Sequence, residues 1–287
     1  MRKVKLISDS TSDLGADLIA RYDVGIVPLN VHLGEDEFQD GVNVTAADVF
    51  QYVDKTKQLP KTAAASVADF EEEFKKWIDL DYDIVFTGIG SKLSATFMAA
   101  KLASESFPEG RIHLVDSLNL STGIALLVAK GGDAVASGAS AKEVSDIMTA
   151  LVPKVRAGFI VDTVEYLYMG GRCSSLESFM AGMLKLRPRL VVKDGVISSD
   201  KKYRGNFDRC LDAYTADIKA AMANADKTRV FITNAVTPGS DLADNDAAKV
   251  EASLADMGFG EILKTNAGCV ISSHCGPRTL GILYIEE

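Results

Sequence analysis

Residues 82–103 read Tyr82-Asp83-Ile84-Val85-Phe86-Thr87-Gly88-Ile89-Gly90-Ser91-Lys92-Leu93-Ser94-Ala95-Thr96-Phe97-Met98-Ala99-Ala100-Lys101-Leu102-Ala103. Ile84–Ile89 has the length and apolar content of a buried strand. The chain then turns through Gly88 and Gly90, passes a hydroxyl-rich run and enters a small-residue helix, Phe97–Ala103. A strand that feeds a helix N-terminus through Ser and Thr is a ready anion site. The first helical N–H groups lack internal partners, and the helix dipole favours negative charge. One of Ser91, Ser94 and Thr96 must cap the helix, which leaves the others to face a ligand.

Outward from this unit, strand and helix signals alternate. Val4–Ser8 is a short strand, and Ser12 or Asp13 can cap a helix Leu14–Arg21. Val24–Leu33 is strand-like, with a return at Phe38–Val42 across Gly34-Glu35. Thr45 and Asp48 form a capping box for a helix to about Thr56. Pro60 breaks the pattern, Lys61–Ala65 reads as a loop, and Ser66 caps a helix to Trp77. Arg111–Asp116 is a strand, and Ser117–Ser137 an Ala-rich helix weakened at Gly131-Gly132. Ser140 and Glu143 box the helix Val144–Leu151. This half predicts a mainly parallel sheet flanked by helices.

After Pro153 the pattern changes. Ala157–Val161 is a strand, Thr163–Met169 a short helix, and Ser174 or Ser175 opens an apolar helix to Lys185. Arg189–Val192 and Val196–Ser199 flank Asp194-Gly195, a type I′ hairpin signal. Phe207–Ala225 and Ser240–Met257 are helical. Arg229–Val236, Glu261–Thr265 and Leu280–Ile285 are strands. The fold class is therefore α/β in two domains, 1–153 mainly parallel and 154–287 mixed or antiparallel with helices.

The 287 residues carry a net charge of −9, which opposes a nucleic-acid partner. The four cysteines, Cys173, Cys210, Cys269 and Cys275, lack framework spacing and read as free thiols in a reducing compartment. The N-terminal apolar run is too short for a signal peptide, and no window has the length of a membrane span. A cytoplasmic location is expected.

Several chemistries are excluded. Leu93 stands where a dinucleotide fingerprint needs its third glycine, and no Gly-Lys pair forms a phosphate loop. There is no G-x-S-x-G elbow and no zinc spacing. His274-Cys275 resembles a dyad, but neighbours on a strand point to opposite faces, which favours a half-buried thiol. Four polar groups beside glycine remain. They are Asp9-Ser10-Thr11-Ser12, Thr62 with Ser66, the Ser91/Ser94/Thr96 set, and the loop His274-Cys275-Gly276-Pro277. Arg172, Arg187, Arg189, Lys201, Lys202 and Arg204 form a basic cluster. It is either a solvated hairpin face or a surface for an acidic partner or phosphate. The residues alone do not separate carboxylate from phosphate.

Together these segments resemble the DegV family of bacterial fatty-acid-binding proteins over essentially the full length. The resemblance rests on Ser8–Leu14, Pro60-Lys61-Thr62, Ser91–Thr96 and Val115-Asp116-Ser117. It continues through Val161–Leu167 into Gly170-Gly171-Arg172, Lys185–Pro188, Asp194-Gly195, Lys202-Tyr203-Arg204 and His274–Pro277. It implies a long-chain fatty acid between two domains, its carboxylate on Thr62 and Ser94 with His274 nearby. It also implies a fatty acid kinase partner that phosphorylates the carboxylate for phospholipid synthesis. Arg172, Lys202 and Arg204 would serve the head-group side and kinase docking. Ser10, Thr11 and Ser91 complete the candidate ligand-binding set. No catalytic residue, metal or cofactor is expected on this chain, and the tail is expected against Phe179, Met180, Met183 and Leu184. The chain departs from the family at three sites. Ala63-Ala64-Ala65 replaces Ser-Gln-Pro, Ala95 replaces Gly, and Arg278-Thr279 replaces Gly-Ala, where a bulky cation would alter the mouth of the site or contact the head group. The alternatives are an enzyme acting on a phosphorylated small molecule through His274 and the basic cluster, and a ligand-sensing regulatory module.

Overall fold

A computed structural model of the chain describes residues 2–173, 186–236 and 239–287. The first half runs β1 (Lys3–Asp9), α1 (Ala16–Tyr22), β2 (Gly25–Val27), β3 (Asn30–Leu33), β4 (Asp36–Gln39), α2 (Ala46–Thr56), β5 (Lys61–Ala63), α3 (Val67–Asp79), β6 (Tyr82–Gly88), α4 (Thr96–Ser104), β7 (Ile112–Asp116), α5 (Thr122–Ala136) and α6 (Ala141–Leu151). The second runs β8 (Val155–Ile160), α7 (Glu165–Met169), β9 (Leu186–Lys193), β10 (Val196–Arg204), α8 (Phe207–Ala221), β11 (Arg229–Asn234), α9 (Leu242–Leu254), β12 (Glu261–Asn266), α10 (Cys269–Cys275) and β13 (Leu280–Ile285).

β6 lies inside a parallel sheet of order β2-β1-β6-β7. Its buried run, Ile84–Gly88, suits a strand covered on both faces. Phe70 and Phe74 of α3 and Ala100 of α4 pack with Ile7, Ile84 and Phe86 on one face. On the other, Leu6 and Val85 meet Ile124 and Leu127 of α5 and Val144 of α6. A small antiparallel sheet, β4-β3-β5, stands beside it. The second half forms a six-stranded sheet of order β10-β9-β8-β13-β11-β12. All its pairings are antiparallel except β11–β12. The molecule is thus mixed α/β, with a parallel and a mixed sheet. The two share α5, whose apolar cluster also takes in Phe159, Phe231 and Leu283. An all-round apolar helix of this kind requires burial on every side.

The capping boxes at Thr45 and Ser140 form as the sequence implies, and the cap expected at Ser66 is also a box, closed by Asp69. Asp194 and Gly195 take φ of 52° and 78°, as a type I′ turn needs. Other expectations fail for physical reasons. Neither Ser12 nor Asp13 caps the helix that follows it, α1, whose N-cap is Gly15. Ser10–Ser12 forms a 3-10 turn capped by Asp9, and α1 starts only at Ala16. The Val24–Leu33 strand divides at Pro28-Leu29, one part joining each sheet. Lys61–Ala65 is not all loop, because Lys61–Ala63 adds to β3 with Thr62 opposite Val31. Gly131-Gly132 does not weaken α5. A Cβ at Gly132 would lie 2.3 Å from the Tyr22 ring, and one at Gly131 would lie 2.7 Å from Met148 Sδ. The expected helix from Ser174 or Ser175 to Lys185, with Phe179, Met180, Met183 and Leu184, lies outside the described residues.

Candidate functional site

The strand-to-helix turn after β6 forms one wall of a cavity of about 200 Å³. Ile89, Leu93, Ser94 and Ala95 come from that turn, and Thr62, Ala63 and Ala64 from β5 and its exit. Val270, Ile271, His274 and Cys275 come from α10. Leu167, Arg172 and Ile197 bring the second half of the chain to the same space. The lining is mainly apolar, with hydroxyl, imidazole and guanidinium groups at a few points.

Thr62 Oγ1 and His274 Nε2 lie 2.8 Å apart, joining residues 212 positions distant in the chain. Burial, and next the charge of Arg172, push the His274 imidazole down to about 4, so it is neutral at pH 7. Its Nδ1 is buried without a partner among the described residues. Gly170 makes room for this ring, since a Cβ there would lie 2.6 Å from Nδ1. Ser94 Oγ accepts from the Thr96 N–H at 3.2 Å and lies 2.9 Å from Thr96 Oγ1. Ser94 therefore satisfies one orphan donor at the start of α4 while lining the cavity. Cap and cavity residue are one side chain here, where the sequence suggested two.

Thr62, Ser94, His274 and Arg172 thus share one cavity, whereas Ser10, Thr11 and Ser91 do not line it. Ser10 Oγ accepts from the Leu29 N–H at 3.1 Å, and Thr11 is buried with its hydroxyl on Asp9. Ser91 is exposed, and its N–H donates to Asp116. Arg172 donates to the Gly170 carbonyl at 2.6 Å.

His274 does not stand in a loop but in the last turn of α10, a helix the sequence reading missed. Its residues include β-branched and hydroxyl types, and Gly268 gives no side-chain cap. The caps are remote. Asp13 accepts from the Gly268 N–H at 2.8 Å, and Asp40 from those of Cys269 and Val270 at 2.7 and 3.4 Å. No local signal reveals such a cap. The strand argument for His274-Cys275 falls, but the surroundings of Cys275 disfavour the thiolate that a nucleophile needs. Burial, then the charge of Asp13, push its thiol up to about 12.

The basic cluster is largely neutralised. Arg187 pairs with Asp162, Arg189 with Asp200 and Lys201 with Asp217, while Lys202 and Arg204 are exposed. Arg278 does not line the cavity, contrary to the expectation for the mouth of the site. It pairs with Asp246 at 2.7 Å and Asp208 at 2.5 Å, and lies over the Phe207 ring at 4.5 Å. Among the described residues no group of His, Cys, Asp and Glu could hold a metal ion, and no helix is long and apolar enough to cross a membrane.

A family model described as an uncharacterised protein of the DegV family matches residues 3–287. A DegV domain-containing protein of Caldanaerobacter subterraneus is 28% identical over 300 residues, covering all of both chains. Among solved structures, a DegV family protein from Thermus thermophilus, described by its fatty acid binding, has 28% identity and a TM-score of 0.89, with 100% of each chain covered. A stearic acid-binding protein from Eubacterium ventriosum has 25% identity and a TM-score of 0.85, covering 100% of this chain and 98% of its own. With the match spanning residues 3–287 and all three sheets, this chain belongs to the DegV family.

Proposed function

We propose that the chain binds a long-chain fatty acid between its 1–153 and 154–287 domains and holds the carboxylate at Thr62 and Ser94. It presents that carboxylate to a fatty acid kinase, in the cytoplasm, for acyl phosphate formation. The observation that carries the reading is the Thr62–His274 pair, set with Ser94 and Arg172 in an otherwise apolar cavity. Relatives described as binding fatty acids support it.

The physics assigns different work to the two ends of the ligand. Each buried CH₂ contributes about 0.8 kcal/mol, so a tail of about 16 carbons gains on the order of 10 kcal/mol before ordering costs. A charge-assisted hydrogen bond adds about 1.5–3 kcal/mol. The tail supplies most of the affinity, while the hydroxyls fix direction and register. His274 is neutral at pH 7, so among the described residues Arg172 is the cationic group that this cavity offers a carboxylate. Ala63, Ala64 and Ala95, from two of the three departures from the family pattern, add apolar lining. A phosphoester enzyme is less well supported, because Arg187, Arg189 and Lys201 are already paired with carboxylates. The chemistry then belongs to the partner.

The test is titration of delipidated protein with stearate, followed by addition of a fatty acid kinase and ATP. Saturable binding and acyl phosphate formation are expected. Turnover of a phosphoester without the kinase, or no stearate binding, would overturn the reading.

A further inference from the structure

The turn Asp9–Asp13 looks from sequence like a cap for the next helix or a ligand loop, yet it neither caps α1 nor lines the cavity. Its polar atoms face inward and accept backbone N–H groups from three separate segments. Asp9 Oδ2 accepts from Ile89 at 2.8 Å, Ser10 Oγ from Leu29 at 3.1 Å, and Asp13 Oδ1 from Gly268 at 2.8 Å. Ile89 and Leu29 line the cavity, and Gly268 is the residue from which α10 starts. Asp40 extends the set through Cys269 and Val270. The remaining oxygens are also used. Asp9 Oδ1 accepts from Thr11, and Asp13 Oδ2 from the Ser121 hydroxyl at 2.5 Å.

We propose that Asp9, Ser10, Asp13 and Asp40 form a positioning hub that sets the Ser94 turn and the His274 helix at the spacing a bound carboxylate needs. This rests on the fatty-acid reading of the cavity. α10 has seven residues, too few to be stable on its own, and no side-chain cap of its own at Gly268. Without the two carboxylates its first N–H groups would be buried and unpaired. The bonds that replace them run from 2.7 to 3.4 Å and converge on the one helix start. Burial first, and then the charges of Asp40 and Asp9, raise the Asp13 carboxyl well above its ordinary value, and gathering these acids in one buried place opposes folding. Their return is geometric, because one turn of chain fixes three cavity walls that reach it from up to 255 residues away.

The histidines, only three in number, make the hub testable, since the ring ¹H–¹⁵N signals of His32, His113 and His274 can be assigned separately. Asp40→Ala, in the delipidated full chain, is expected to move the His274 signals and leave those of His113 in place. Stearate should leave the variant faster by about tenfold or more. Asp40→Asn keeps one acceptor oxygen for the Cys269 N–H and should restore both readouts in large part. If Asp40→Ala does not fold, Asp40→Asn and Ser10→Ala are read in the same two ways, and small shifts confined to His274 and its neighbours support the hub. Unchanged His274 signals and stearate release would overturn the proposal, as would equal shifts of all three histidines. Failure of the wild type to bind stearate would instead refute the fatty-acid reading, while the ring signals still decide the hub.

Discussion

The two walls that carry Ser94 and His274 are built on the same plan and held in opposite ways. Each follows a strand, passes through glycine and leads into or along a short helix. The Ser94 wall is secured locally, with the Ser94 hydroxyl accepting from the Thr96 N–H two residues on. The His274 wall is secured by Asp13 and Asp40, more than 200 residues upstream. A local cap leaves a mark in the sequence, and a tertiary cap leaves only an unexplained aspartate. The same carboxylate cluster reaches both walls through Asp9 and Asp13, so the difference between them can be tested directly.

Gly88→Ala should have the largest effect. A Cβ there would lie 2.1 Å from Asp9 Oδ2, a buried oxygen with no room to retreat. A loss of about 3 kcal/mol in urea unfolding is expected, at the upper end for overpacking. At Gly268 the corresponding Cβ would sit 3.2 Å from Asp13 Oδ1 and 3.2 Å from Asp40 Oδ1. Gly268→Ala should therefore cost less. A larger loss at Gly268 than at Gly88 would reverse the ranking of the two walls.

A second effect of similar size separates the walls by pH. The His274 imidazole is pushed down to about 4 from its ordinary value of 6.5. Its contribution is full above pH 6.5 and is lost as pH falls toward 4, by about 3 kcal/mol. Asp9 runs the other way. Burial raises its carboxyl to about 6, so its proton stabilises the fold in acid and that stabilisation is lost as pH rises through 6. The stability difference between wild type and His274→Gln should grow between pH 4 and 6.5. The difference for Asp9→Asn should have the opposite slope. Parallel slopes in urea titrations at stepped pH would contradict the burial assigned to these groups.

The Ser94 wall makes the next prediction. Ser94→Ala should weaken stearate binding by a few-fold to about a hundredfold. Acyl phosphate formation with the kinase should suffer more than retention of the acid. Full acyl phosphate formation by the variant would remove Ser94 from its assigned role. The smallest effect is expected at Arg278, whose ion pairs with Asp208 and Asp246 lie outside the cavity. Arg278→Ala should cost about 1 kcal/mol of stability and leave stearate affinity unchanged.

These contrasts show why the fold was more legible than the site. Strands β6 and β13, the Asp194-Gly195 turn and three capping boxes carry their signals within a few residues. β5 was misread because its pairing with β3 depends on tertiary placement, not on the small residues Ala63–Ala65. α10 was missed because its caps are supplied by Asp13 and Asp40. The basic cluster looked free because its acidic partners, Asp162 and Asp217, stand on other elements. Thr62, Ser94 and His274 stand among the polar groups beside glycine that the sequence offers, and the resemblance selects them. Their meeting in one cavity is a property of three-dimensional pairing that no spacing rule contains.

The central claim is that this cavity holds a long-chain fatty acid by its carboxylate. Native mass spectrometry tests it most directly, on wild type and on a Thr62→Val, Ser94→Ala double variant, as purified and after exposure to stearate. The account predicts wild type carrying the added mass of a C14–C18 acid, with markedly lower occupancy in the double variant. Wild type that carries no acyl mass even after exposure to stearate, or a double variant as fully loaded as wild type, would contradict it.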